Sequence, residues 1–261
     1  MIPLTNRYKF LSTLLHSSIL TKKMSRIQNR KQVVIIMGPP GSGKGTQAEL
    51  LADRFSLYYL ETSKVLEARF MAAPKGEFVK VYGKKYYMAD EKKKWQTGLL
   101  NSDPFTNYLM REKISEYFAK GESLLLAGSP RSIDQAKDLM PFLKKLYGAK
   151  NISVILLEVS AKESVFRNSH RKICELMRHP ILFSKETLNL KHCPLDGSKL
   201  LKRKGLDDPE TIRIRLEEYK DRTLPLIDYF KKQGISVKRI NGSPAPAVVF
   251  GNVLKALAEK K

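Results

Sequence analysis

Val33-Val34-Ile35-Ile36-Met37-Gly38-Pro39-Pro40-Gly41-Ser42-Gly43-Lys44-Gly45-Thr46 is the stretch on which the fold turns. Its first five residues, with Gln32 before them, form a short and largely β-branched run that closes in a Gly/Pro turn. That is the pattern of a strand buried on both faces of a parallel sheet. Thr46–Phe55 then has helix-forming composition. A strand, a G-x-x-x-x-G-K turn and a helix in that order make a phosphate-binding loop. The glycines let backbone N–H groups turn inward around phosphate oxygens, the helix N-terminus adds a favourable dipole, and Lys44 supplies a point charge for the outer phosphates. A glycine-rich turn alone can be merely structural, but the lysine and both flanks point to a nucleotide polyphosphate. The hydroxyl, at Thr46, stands one place later than in the general pattern because Gly45 follows the lysine.

Outward from this loop, apolar runs recur at Ser123–Ala127, Ile152–Val159 and Ile235–Ile240. Between them lie segments of helical composition at Phe105–Ala119, Ile133–Tyr147 and Pro209–Lys232. Strands alternating with helices predict an α/β fold with a mostly parallel sheet. Two stretches break the alternation: Lys64–Asn101, Lys-rich and aromatic, and Lys172–Leu206, which is basic, Gly/Pro-punctuated and holds both cysteines. Each is too long for an ordinary loop and reads as an inserted mobile subdomain over a site. Residues 1–31 contain no Asp or Glu and read as a basic, disordered leader. A targeting peptide, or a true start at Met24, is the alternative reading.

The chain has 261 residues, 42% of them hydrophobic and 28% charged, which allows a buried core and argues against wholesale disorder. No apolar run approaches the roughly 18–20 residues of a membrane span. Two cysteines exclude a disulfide scaffold and suit a reducing, cytoplasmic setting. Lys and Arg number 48 against 26 Asp and Glu, a net charge of +22 that attracts polyanions. The runs Lys84-Lys-Tyr-Tyr and Lys92-Lys-Lys-Trp95 mix cations with stacking aromatics, so nonspecific nucleic-acid binding is one possible use of that field, and a solvated insert face is the blander one.

The full string Gly38–Gln47, GPPGSGKGTQ, resembles the loop of adenylate kinases and related nucleoside monophosphate kinases. Ala127-Gly-Ser-Pro-Arg131 with Gln135-Ala136 resembles that family's D-G-F-P-R-x-x-x-Q-A, and Gly98–Asp103 its G-x-L-V-P-D. Arg167-x-x-x-Arg171 is similar to the arginine pair that leads into the family's lid. Asp207-Asp208, Arg213-Ile-Arg215-Leu216, Tyr219 and Thr223-Leu-Pro225-Leu follow in the family's order. The likeness spans roughly residues 32–240. It implies a three-layer P-loop kinase sandwich with a monophosphate-binding insert at about 62–102 and a lid at about 169–208, catalysing ATP + AMP to two ADP with Mg²⁺, as a monomer. Transfer to UMP, CMP or GMP, and a nucleotide- or nucleic-acid-binding protein that has lost its reaction, are the alternatives.

Carried over by position, the resemblance gives Lys44 the ATP phosphates, with Arg167 and Arg171 closing from the lid side. Arg131 grips the monophosphate, Gln135 reads its base with Thr62 in support, Arg215 lies between the two phosphate chains, and Arg203 joins them. The chain also departs from the family. Glu67 stands where a phosphate-gripping arginine is expected, with Arg69 the nearest substitute. Ala127 replaces the carboxylate that orders the Mg²⁺ water shell, leaving Asp103 and Glu158 as substitutes to inspect. Ser129 replaces a phenylalanine. In the lid, Cys174-x-x-Met177 and Cys193-x-x-Asp196 resemble a zinc knuckle with one ligand changed to a thioether, a poor zinc donor. His179 or His192 is a possible fourth ligand, but a packed or hydrogen-bonded lid is the expectation rather than zinc or a Cys174–Cys193 disulfide.

Overall fold

A computed structural model describes residues 31–177, 180–202 and 207–259. Apart from Lys31, the expected leader lies outside them, as do Arg203 and His179. The run at the head of the phosphate loop is β1, Val33–Met37, and each of its side chains is buried. Such burial is worth about 1.5–3 kcal/mol per large aliphatic side chain. The chain then forms α1 (Lys44–Phe55), β2 (Tyr58–Glu61), α2 (Thr62–Ala72), the hairpin β3 (Phe78–Val81) and β4 (Lys84–Tyr87), and α3 (Met88–Gln96). Next come α4 (Asp103–Ala119), β5 (Leu124–Ala127), α5 (Ile133–Tyr147), β6 (Ile152–Glu158) and α6 (Ala161–Ser169). Short strands β7 (Lys172–Cys174), β8 (Pro180–Ile181) and β9 (Leu200–Leu201) precede α7 (Pro209–Glu218), α8 (Leu226–Lys232), β10 (Val237–Asn241) and α9 (Pro246–Ala258).

Five strands pair in parallel in the order β10-β6-β1-β5-β2. Alternation along β1 divides the core. Val33, Ile35 and Met37 pack with α4, α5 and α8, while Val34 and Ile36 pack with α1 and α9. The result is the three-layer α/β sandwich expected from the sequence. From β1 the chain moves first toward the β2 edge and later toward the β10 edge. The order therefore reverses at β1, and the crevice at the strands' carboxyl ends is the place where such sheets bind ligands.

Between residues 62 and 102, α2, the hairpin and α3 share a smaller core of Leu66, Phe70, Val79, Val81 and Met88 built onto Phe105 and Leu109 of α4. Glu91 fastens the return to α4. Its buried carboxylate accepts from Asn101 Nδ2, Ser102 N and Ser102 Oγ at 2.6–2.9 Å and from Lys94 Nζ at 2.9 Å. Burial pushes this acid up, but those donors outweigh it and hold it below its ordinary value. Between 169 and 208, β7, β8 and β9 form a separate antiparallel sheet.

Two elements differ from the sequence reading. Pro209–Lys232 is not continuous helix: Tyr219–Thr223 is a π-helical turn, and Pro225 then starts α8. The strand β2, only four residues long and ending in a glutamate, did not stand out as an apolar run. No helix among the described residues is long and apolar enough to cross a membrane.

Candidate active site

The loop 38–43 wraps the N-terminus of α1 between β1 and α6. Gly41 adopts φ +76°, and a Cβ there would meet Asn168 Nδ2 at 2.6 Å and Ser164 O at 3.0 Å, so only glycine lets the loop lie against α6. Ser164 Oγ donates to Pro40 O, fixing the same contact. Pro39, Pro40 and Ser42 are buried, and Gly43 precedes the helix in the left-handed region. Ser42 Oγ is buried with no protein hydrogen bond among the described residues, as suits a loop that closes on an anion. Lys44 Nζ donates back to Gly38 O at 2.8 Å and Pro39 O at 2.7 Å. Gly45 is exposed, and Thr46 is half-buried in the first turn of α1.

Burial is the first cause that pushes the Lys44 ammonium well below its usual pKa, and the charges of Arg131, Arg215 and Arg171 push it further. The Glu61 charge opposes them. Four cations predicted from widely separated segments are thus gathered near the strand ends, the three arginines acting on the lysine. Like charges gathered in this way are costly until a polyanion enters between them.

Arg131 follows β5. Its guanidinium lies over Gly128, where φ is +96° and a Cβ would sit 2.7 Å from Arg131 Nη2. Burial acts against its charge, with Glu61 and Tyr59 opposing that effect. Arg171 donates to Asp207 Oδ1 at 2.9 Å and to Asn168 Oδ1, and Arg215 Nη1 approaches the same Asp207 oxygen at 4.0 Å. One buried carboxylate therefore gathers the arginines from α7 and from the end of α6. Arg167 is placed differently. It pairs with Glu163 at 2.6 Å and donates to Gly41 O, Gly242 O and Ser243 O, bracing the outer side of the phosphate loop against the β10–α9 turn.

Gln135 is buried in the first turn of α5. Its Oε1 accepts from Arg131 N at 2.7 Å, and its Nε2 donates to Asp103 Oδ1 at 2.9 Å. Ser132 caps the helix by accepting from Gln135 N, so Ser132-x-x-Gln135 also has the spacing of a capping box. The amide keeps one N–H and one lone pair for a base. Thr62 Oγ1 donates to Ser129 Oγ at 2.9 Å, a contact that exists because a serine stands where the family resemblance leads one to expect phenylalanine.

The structure directs the departures elsewhere than the sequence suggested. Arg69 is engaged by both oxygens of Glu77, so its fork faces that acid. Glu67 is half-buried on α2, with no ion pair among the described residues. Asp103 is occupied by Gln135 and, at 2.7 Å, by Arg222; Glu158 pairs with Arg239. The π-helical turn presents Arg222, which the sequence reading did not name, and Thr223, which it quoted without assigning a role and which donates to Arg131 O at 2.8 Å. In the lid, Cys174 Sγ donates to Asp196 Oδ2 at 3.1 Å, and the ligand atoms of Cys174, Cys193 and Asp196 all lie within 4.8 Å of one another. Neither cysteine is in a disulfide, and Met177 is exposed.

The adenylate kinase family model matches residues 36–235. An adenylate kinase of Clostridium botulinum (strain Loch Maree / Type A3) is 31% identical over 232 residues, covering 87% of this chain and 99% of that protein. One from Methanothrix thermoacetophila is 32% identical over 228 residues, with 87% and 98% covered, and one from Caldanaerobacter subterraneus subsp. tengcongensis is 31% identical over 226, with 86% and 95% covered. On both the site's geometry and these likenesses, the chain belongs to the adenylate kinase family, as a divergent member of it.

Proposed function

We propose that this chain transfers the terminal phosphoryl group of ATP to AMP, giving two ADP, with its described cations divided between the two nucleotides. The observation that carries this is the convergence of Lys44, Arg131, Arg171 and Arg215, close enough that the three arginines lower the lysine's pKa. A site for one phosphate group does not need four such charges, whereas two nucleotides meeting tail to tail do. Lys44 and the loop hold the ATP phosphates, Arg131 grips the monophosphate, and Arg171 with Arg215 spans the transferring group. Arg167 supports the loop at the ATP end. Gln135 and Thr62 present the adenine of AMP with a polar edge, and Arg203 is assigned to the phosphate chains by its sequence position alone.

Phosphoryl transfer asks the protein for positioning and charge stabilisation rather than for a nucleophile, since an AMP phosphate oxygen attacks. Magnesium brought with ATP neutralises charge on the phosphoryl oxygens. Hard oxygen donors suit that ion. The inserts at about 62–102 and 169–208 act as mobile covers that exclude water and suppress ATP hydrolysis. The lid is held by its Cys174–Asp196 hydrogen bond rather than by zinc. The enzyme works as a monomer, as the family resemblance implies, in the cytoplasm, and the two buried thiols suit a reducing compartment.

ADP formation from MgATP with AMP, UMP, CMP or GMP tests the reading. AMP is expected to be the preferred acceptor, and Lys44→Ala to lower turnover by about 10²–10³-fold, the cost of removing a charge-stabilising donor. No ADP from AMP with folded protein would overturn it.

A further inference from the structure

The cleft is rich in cations, yet MgATP also needs an anion to meet its metal. Magnesium keeps several waters and is held by one or two carboxylates together with the substrate's phosphates. At the end of β5, beside the loop, the chain has Ala127, whose methyl group offers no oxygen donor. Asp103 and Glu158 are committed to Gln135, Arg222 and Arg239.

The neighbouring strand supplies the missing chemistry. β2 runs parallel to β5 with Glu61 directly beside Ala127 in register, and Ala127 in turn lies beside Ile36, two residues before Gly38. Adjacent parallel strands are about 4.8 Å apart and registered residues face the same side, so a glutamate on β2 extends along the same face as position 127. Glu61 interacts electrostatically with both Lys44 and Arg131. Its carboxylate is oriented by Ser63 Oγ, which donates to Oε1 at 2.6 Å, and by the Tyr59 hydroxyl two residues earlier. That hydroxyl lies 3.8 Å from where a Cβ on Gly45 would be, which places the pair against the phosphate loop. The Glu61 side chain is 30% exposed, open enough to meet a hydrated ion. It also pairs with Lys64 at 3.7 Å, and that lysine is itself 64% exposed, so the pair is a weak competitor.

We propose that Glu61 is a positioning residue for the magnesium of bound MgATP, supplying from β2 the carboxylate that β5 lacks. This rests on the MgATP reading above. The role is to orient the ion's water shell and to balance the arginines around it.

The test is calorimetric titration of the full chain with ATP, once with magnesium and once with the metal chelated, for the wild type, Glu61→Gln, Glu61→Asp and the double variant Glu61→Gln/Ala127→Asp. The readout is the ratio of the two affinities. Glu61→Gln is expected to reduce the magnesium preference about tenfold, as loss of an outer-shell ligand does, with metal-free ATP bound as well or better. Glu61→Asp should retain part of the preference, and Ala127→Asp in the glutamine background should restore it. A thermal melt monitors folding, and the aspartate variant carries the test if the glutamine one unfolds. An unchanged ratio in Glu61→Gln, or equal losses with and without the metal, would overturn the role of Glu61 while leaving the kinase reading intact. A wild type that binds ATP in neither condition would overturn both.

Discussion

Asp103 holds two site residues at once, Gln135 through Oδ1 and Arg222 through Oδ2. Gln135 in turn fixes the backbone N–H of Arg131, so the acid reaches the candidate monophosphate ligand through one intermediate. Replacing one of its oxygens by an NH₂ group would set a donor against a donor. Charge-assisted hydrogen bonds contribute about 1.5–3 kcal/mol, and 1.4 kcal/mol is tenfold in affinity. Asp103→Asn is therefore expected to raise the KM for AMP by roughly tenfold to a hundredfold, with the KM for ATP within about twofold of wild type. Steady-state kinetics with each nucleotide varied separately decides it, because an equal rise for both would show general disruption instead. This position shows how far single residues were legible. Lys44, Arg131, Arg171 and Arg215, which the structure gathers, stood out because they are cations at motif positions. Asp103 was noticed as the end of a family-like motif and as a metal candidate but not as the partner of Gln135, and Arg222 not at all. A residue that works by holding another leaves no spacing pattern of its own.

Elements were legible where their patterning was strong. β1, β5 and β6 are nearly continuous apolar runs because both of their faces are covered, whereas β2 lies at the sheet edge with a half-buried pattern and passed unnoticed. The π-helical turn at Tyr219–Thr223 has no local signature, since its cause is tertiary: Thr223 and Arg222 are drawn to Arg131 and Asp103. The small sheet expected to be the lid carries a similar contact. Cys174, Ser198 N and Ser198 Oγ all donate to Asp196, which holds that acid far below its usual value, with the Ser198 hydroxyl the largest cause. Burial, first among several causes, pushes the Cys193 thiol up. A depressed acid contributes stability that is present above its ordinary pKa and lost as pH falls below it. A raised thiol contributes stability that is present below its ordinary pKa and lost as pH rises through the higher folded value. The lid is thus expected to be tightest between about pH 4 and pH 8.5, the ordinary values of the two groups, and to loosen on either side. Hydrogen exchange over residues 172–201 should show protection falling at both extremes. Asp196→Ala should bring the same loss at neutral pH, with at least about tenfold faster reaction of the cysteines with a thiol reagent. Protection unchanged in that variant would mean that the sheet holds by packing alone.

At the scale of the whole molecule, the net charge of +22 has a direct kinetic consequence. Residues 62–102 alone carry nine Lys and Arg against four Asp and Glu, so the excess extends to the segment proposed to cover the monophosphate. Both substrates are polyanions, and a positive field over the cleft raises their encounter rate by about 10–10³-fold at low ionic strength. Salt screens such a field within about 10 Å at 0.1 M, whereas the contacts proposed for Lys44 and Arg131 with phosphate would lie inside that length and be screened far less. The two contributions should therefore separate on a salt titration. Between 10 mM and 300 mM salt, kcat/KM for AMP and for ATP is expected to fall about tenfold, with kcat changing less than twofold. Charge reversal at Lys84 and Lys85, exposed on β4 and remote from the phosphate loop in sequence, should flatten that dependence without lowering kcat. A steep salt dependence that survives this change would locate the steering field at the cleft's own arginines and leave the basic hairpin without a part in substrate capture.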